Sequence, residues 1–177
     1  MRYAVLLRGV NVGGRNKIAM ADLRLILAER GYADVQTHLQ SGNAVLSSEL
    51  PTERLASDIA GALEARLGLR CAVLIRTGDD LAEVIAGNPL GREPDNPSRY
   101  FVAFLSAAPE ADAVARLREQ DFGSDHAWIE GSHGYMWCPN GMADTRLTYS
   151  LLEKQLGVVA TARNWNTVRK LAELTAG

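Results

Sequence analysis

Only two cysteines occur among the 177 residues, Cys71 and Cys138, with no C-x-x-C pair and no histidine at zinc-ligand spacing. That scarcity excludes a disulfide scaffold and a structural-zinc motif, and predicts two reduced thiols within apolar strands. Charge of one sign is lacking too. Nineteen Lys/Arg against 21 Asp/Glu leave a net charge of -2, so nucleic acid is not expected as a partner except through a local patch. There is no long hydrophobic run: Tyr3–Leu7 is cut by Arg8, too short for a signal-peptide core or a membrane span. We therefore expect a cytoplasmic protein with no membrane partner.

Familiar catalytic constellations are missing as well. His38, His126 and His133 have no Ser, Cys or carboxylate placed beside them by local spacing, and each reads as an ordinary surface or interface histidine. Glu53, Asp58 and Glu64 read as a solvated helix face, and Asp79 and Asp80 as a cap. Gly9-x-x-x-x-Gly14 has phosphate-loop spacing, yet Arg15-Asn16 stands where Lys and a hydroxyl are required. The intervals of Gly9, Gly13 and Gly14 also fail the dinucleotide fingerprint. The sequence assigns no metal, no cofactor and no catalytic residue.

What is present is a soluble globular composition with a repeated pattern of elements. Apolar periodicity and breakers predict strand Tyr3–Leu7, helix Met20–Arg30, strand Val35–Leu39, a turn at Gln40–Asn43 and strand Ala44–Ser47. Helix Thr52–Leu67 follows, with Leu55, Ile59, Leu63 and Leu67 at four-residue spacing, then strand Ala72–Arg76. Thr77 and Asp80 form a capping box for a further helix, which Asn88-Pro89 ends. A linker carrying Pro89, Pro94 and Pro97 comes next. The order then repeats as strand Tyr100–Leu105, helix Glu110–Glu119, strand Ala127–Glu130, strand Tyr135–Cys138, helix Arg146–Leu156, a short strand near Val159–Thr161 and a closing helix from about Thr167.

The fold class expected is therefore α+β, with two tandem ferredoxin-like βαββαβ halves packed into one compact body. Residues 1–88 form the N-terminal half with a linking helix, and residues 99–177 the C-terminal half with a closing helix. Both opening strands are apolar on both faces, so each sheet must bury its helix-free face too.

In βαββαβ topology the first two strands run parallel, which places the loop after strand one beside the hairpin between strands two and three. The loop offers Arg8, Asn11, Gly13, Gly14, Arg15, Asn16 and Lys17, and the hairpin offers Gln40, Ser41 and Asn43. Cations, glycine amides and the first helix's N-terminus favour an anion. The competing reading is loop geometry alone, since Gly-Gly and Gln-Ser-Gly-Asn are good turn sequences. A second distinctive stretch, Ala160–Val168, carries Arg163, Asn164, Trp165 and Asn166. An asparagine there can cap the last helix and the tryptophan can pack, or the set can hold an anion.

The stretches L-L-R-G-V-N-V-G-G-R-N-K, T-H-L-Q-S-G-N and A-T-A-R-N-W-N-T-V resemble, in order and separation, the motifs of the bacterial domain of unknown function 1697 family. The resemblance spans nearly the whole chain and implies a cytoplasmic bacterial α+β protein. It brings no activity, substrate or catalytic residue. This chain has Thr145-Arg146-Leu147 where members often show Ser-Lys-Leu, and Ala162 where Thr or Ser is common. The function expected is that of a binding protein or cryptic enzyme for a small anionic or phosphorylated ligand; the alternatives are an RNA-binding module and a non-catalytic interaction protein. The RNA reading is weakened because strand Ala44–Ser47 lacks exposed aromatics for base stacking.

Overall fold

Tyr3, Val5 and Leu7 alternate with Ala4 and Leu6, and β1 (Arg2–Leu7) buries every one of these five side chains. It is the central strand from which the first sheet is built. The computed structural model describes Met1–Gly177, and the chain divides into two units, Met1–Ala82 with Leu171–Gly177, and Glu83–Lys170.

In the first unit β1 is followed by α1 (Met20–Glu29), β2 (Ala33–His38), β3 (Asn43–Ser47), α2 (Thr52–Leu67) and β4 (Val73–Thr77). The sheet order is β2-β3-β1-β4. β1 pairs antiparallel with β3 and β4, and β2 antiparallel with β3, so β1 and β2 run parallel across β3. This is the ferredoxin-like split βαβ arrangement. Tyr3, Val5, Leu7, Ala44, Leu46 and Ile75 pack with Leu23, Ile26 and Leu27 of α1 and Leu55, Ile59 and Leu63 of α2. Ala4 and Leu6, on the opposite face, are equally buried.

α3 (Gly78–Ala86) follows, and the chain passes into the second unit within it. The second unit repeats the plan with β5 (Tyr100–Leu105), α4 (Ala111–Arg118), β6 (His126–Glu130), β7 (His133–Trp137), α5 (Tyr149–Leu156) and β8 (Ala160–Asn164), in the order β6-β7-β5-β8. α6 (Trp165–Thr175) closes the chain. Ala103, Leu105, Met136 and Ala160 pack on Leu117 of α4 and on Leu152 and Leu156 of α5. On the other face Tyr100 stacks on Tyr135 at 6.2 Å and leans on Trp165 at 5.3 Å.

Several sequence expectations need correction. Leu67 is 44% exposed rather than part of the buried α2 stripe. A four-residue step overshoots a full helical turn by about 40°, so three steps rotate Leu67 about 120° away from Leu55. Arg146 lies before α5, because Thr148 is its N-cap and its hydroxyl accepts from Leu151 N at 3.1 Å. β8 starts one residue later than expected and runs on to Asn164, so Arg163 and Asn164 are strand residues, and α6 starts at Trp165 instead of Thr167. Cys71 and Cys138 are free thiols that flank β4 and β7 rather than lie within them.

Candidate functional site

β1 ends at Leu7 and β3 begins at Asn43, directly opposite Leu6, so the loop leaving β1 meets the β2–β3 hairpin at one sheet edge. Main-chain bonds lock the junction: Leu7 N donates to Gly42 O at 2.9 Å and Arg8 N to Ala72 O at 3.0 Å. Gly42 sits in the left-handed region at φ +83°, and a Cβ there would lie 2.4 Å from Val10 Cγ2 and 2.9 Å from Leu7 Cβ. Only glycine lets the hairpin seat this closely on the loop.

The loop folds back on itself as a miniature hairpin. Gly13 and Gly14 are both left-handed, at φ +57° and +74°, and Arg15 N donates to Val12 O at 3.0 Å, the geometry two glycines suit in a two-residue turn. Asn11 fastens its base: Nδ2 donates to Ile18 O at 2.9 Å and to Gln40 O at 2.6 Å, while Oδ1 accepts from Ile18 N at 2.9 Å. Asn16 Nδ2 donates to Gly9 O at 3.2 Å. Asn43 is fully buried and donates to His38 O and Ser41 Oγ.

The asparagines therefore shape the loop, while the tip from Val12 to Lys17 is exposed. Between loop, hairpin and helices lies an open cleft of about 420 Å³ lined by Asn11, Gly14, Lys17, Ile18, Ala19, Asp22, Gln40 and Leu67. Four of the sequence candidates, Asn11, Gly14, Lys17 and Gln40, thus share one wall. Gly13, Arg15 and Asn16 are in the exposed tip beside it, and Arg8, Ser41 and Asn43 are tied into its framework. Ala19, the N-cap of α1, supplies no side-chain cap to the helix's first amides. The side chains of Lys17, Asp22 and Gln40 make no hydrogen bond or ion pair.

Asp22 and Leu67 were not foreseen as site residues. Asp22 lies in the first turn of α1, where an acid complements the helix dipole and gives no signal of a site, and the spacing of Leu67 places it in the apolar stripe of α2.

Two of the three candidates in the second unit, Arg163 and Asn164, are committed internally. Arg163 is buried, its Nη1 donating to Thr161 Oγ1 at 2.7 Å and Ala162 O at 2.9 Å. Burial pulls its guanidinium down to about 10, still far enough above neutrality to stay charged. Asn164 Oδ1 accepts from Thr167 N at 3.0 Å and caps α6, and Asn166 is exposed on that helix. Trp165 Nε1 donates to Glu93 Oε2 at 3.0 Å.

Other polar groups serve structure. Asp58, expected on a solvated face, is held by Arg30 and Tyr32, and the hydrogen bond from Arg30 keeps its carboxyl below the usual range. Burial pushes the Cys138 thiol up to about 11, which disfavours a reactive thiolate. No group of three or more His, Cys, Asp or Glu is placed to hold a metal ion, and no helix is long and apolar enough to cross a membrane.

Residues 1–135 match the model of a family described as "Protein of unknown function (DUF1697)". No curated protein matches the sequence. The solved structure of conserved bacterial protein SP0830 from Streptococcus pneumoniae is similar over 98% of each chain, with a TM-score of 0.68 at 22% identity. That likeness concerns the fold alone.

Proposed function

The chain belongs to the DUF1697 family, whose description carries no activity, and we propose from the chemistry of the site that it binds a small anionic, phosphorylated ligand in the cleft between the β1–α1 loop and the β2–β3 hairpin. The observation that carries this reading is that Lys17 lines the cleft with its side chain uncommitted, beside the uncapped first turn of α1. A helix N-terminus with free amides and a neighbouring ammonium is a favourable environment for a phosphoryl group. Arg15, exposed in the same loop tip, adds a second cation.

A ligand that binds only the folded protein raises its melting temperature, by about 2.7 kcal/mol of stability at a hundred times Kd. Inorganic phosphate at constant ionic strength should therefore stabilise the protein. The Arg15→Ala/Lys17→Ala double variant should lose that response while its unliganded stability stays within about 0.5 kcal/mol, because exposed loop cations contribute little to folding. An unchanged response in the double variant would move the site elsewhere.

The internal pairing of Asn11, Asn16 and Asn43 favours a second reading, in which the motif serves architecture and the protein acts through other surfaces. Under that reading neither phosphate nor sugar phosphates alter the melting temperature of the unmodified protein.

A further inference from the structure

The cleft contains a carboxylate as well as an ammonium. Asp22 and Lys17 both line it, yet they do not pair with each other, and neither is engaged by any other side chain. An ionised carboxylate only accepts hydrogen bonds and repels a bare anion. A ligand made of acceptors alone would satisfy Lys17 and leave Asp22 facing like charge.

Resting on the anion-binding reading, we propose that the cleft selects phosphomonoesters of polyhydroxylated compounds, sugar phosphates as a class. Lys17 meets the phosphoryl group, and Asp22 accepts hydrogen bonds from hydroxyls of the same molecule. Gln40 favours hydroxyls over an ammonium as the donor. Its side-chain amide is uncommitted in the same wall and presents both a donor and an acceptor, which a hydroxyl matches at once and an ammonium, a donor only, does not. Ile18, Ala19 and Leu67 supply the apolar part of the wall, against which the carbon face of a sugar can lie. The volume of about 420 Å³ falls within the range of small-molecule sites.

The test compares inorganic phosphate, ribose 5-phosphate and phosphoethanolamine at matched ionic strength. Binding to the unmodified protein and to Asp22→Asn is followed by calorimetry at one temperature and by thermal shift against each protein's own unliganded baseline. Ribose 5-phosphate should bind the unmodified protein more tightly than either other probe. Asp22→Asn should weaken it about tenfold, the scale of one charge-assisted hydrogen bond, while inorganic phosphate binds equally well or better. Opposite signs for the two probes are the signature.

If phosphate binds but ribose 5-phosphate binds no better, or Asp22→Asn strengthens both alike, the sugar-phosphate assignment is overturned while the anion reading stands. If phosphoethanolamine binds most tightly, the hydroxyl assignment is overturned in favour of an ammonium. If none of the three binds the unmodified protein, both readings fall together.

Discussion

Asn11 occupies the position on which the loop depends, because one side chain satisfies both the N–H and the carbonyl of Ile18 and reaches Gln40 O across the junction. The sequence marks this residue as a candidate ligand contact, and the asparagine–glycine composition is right for a tight loop. What residue type alone does not disclose is which way an amide spends its donors. A free asparagine at a binding site and a spent one in a loop brace look identical in the chain. Gly42 is the more legible residue, since a turn glycine is the natural reading of Gln-Ser-Gly-Asn. The close approach of Val10 and Leu7 comes only with the tertiary fold. Gly42→Ala adds a methyl group where no space exists and at an unfavourable φ. It should cost about 1–3 kcal/mol in urea unfolding and weaken phosphate binding, because the hairpin can no longer seat on the loop. Unchanged stability would show that the junction yields without strain.

Among elements, the boundaries that chemistry marks in the chain are the ones the structure keeps. Thr77 and Asp80 make reciprocal bonds, Thr77 N to Asp80 Oδ2 at 2.7 Å and Asp80 N to Thr77 Oγ1 at 3.0 Å, so the capping box predicted for α3 is present. Asp80→Ala should remove one of these bonds and lower stability by about 1 kcal/mol, read as an earlier midpoint in chemical denaturation. A shift of the same size in Thr77→Ala and no further loss in the double variant would show the two acting as one unit. The pattern is less informative where periodicity must decide without a cap. Leu67 reads as core because it continues a four-residue spacing, but drift against the 3.6-residue turn carries it to the surface beside the cleft. α5 begins late because Thr148 outcompetes Arg146 as its start. The Arg146 side chain instead bonds Asp121 O and lies 5.8 Å from the centre of the Phe122 ring.

Across the whole molecule, the repeated βαββαβ order is legible because each breaker falls between apolar runs of the right length, and parallel β1 and β2 then oblige the glycine loop and the hairpin to share an edge. The site's framework follows from topology, whereas its selectivity depends on Asp22 and Gln40, whose orientations no spacing rule specifies. The assignment of the last residues is likewise invisible in the sequence: Leu171–Gly177 belong to the first unit although they follow the second. Leu171 and Thr175 are buried, and Thr175 O would lie 3.0 Å from a Cβ placed at Gly78, just after β4. Deleting residues 171–177 should therefore destabilise a unit that begins at the other end of the chain, by about 2–4 kcal/mol from Leu171 burial and lost packing. Native-state hydrogen exchange is the suitable measurement because it reports each segment separately. Amides of β1 and β4 should exchange faster in the truncated protein, and the change should be smaller in β6 and β7. Equal acceleration in both sheets would mean that the chain opens as one cooperative unit, and protection of β1 and β4 left intact would show that the terminal segment contributes nothing to the first unit's stability.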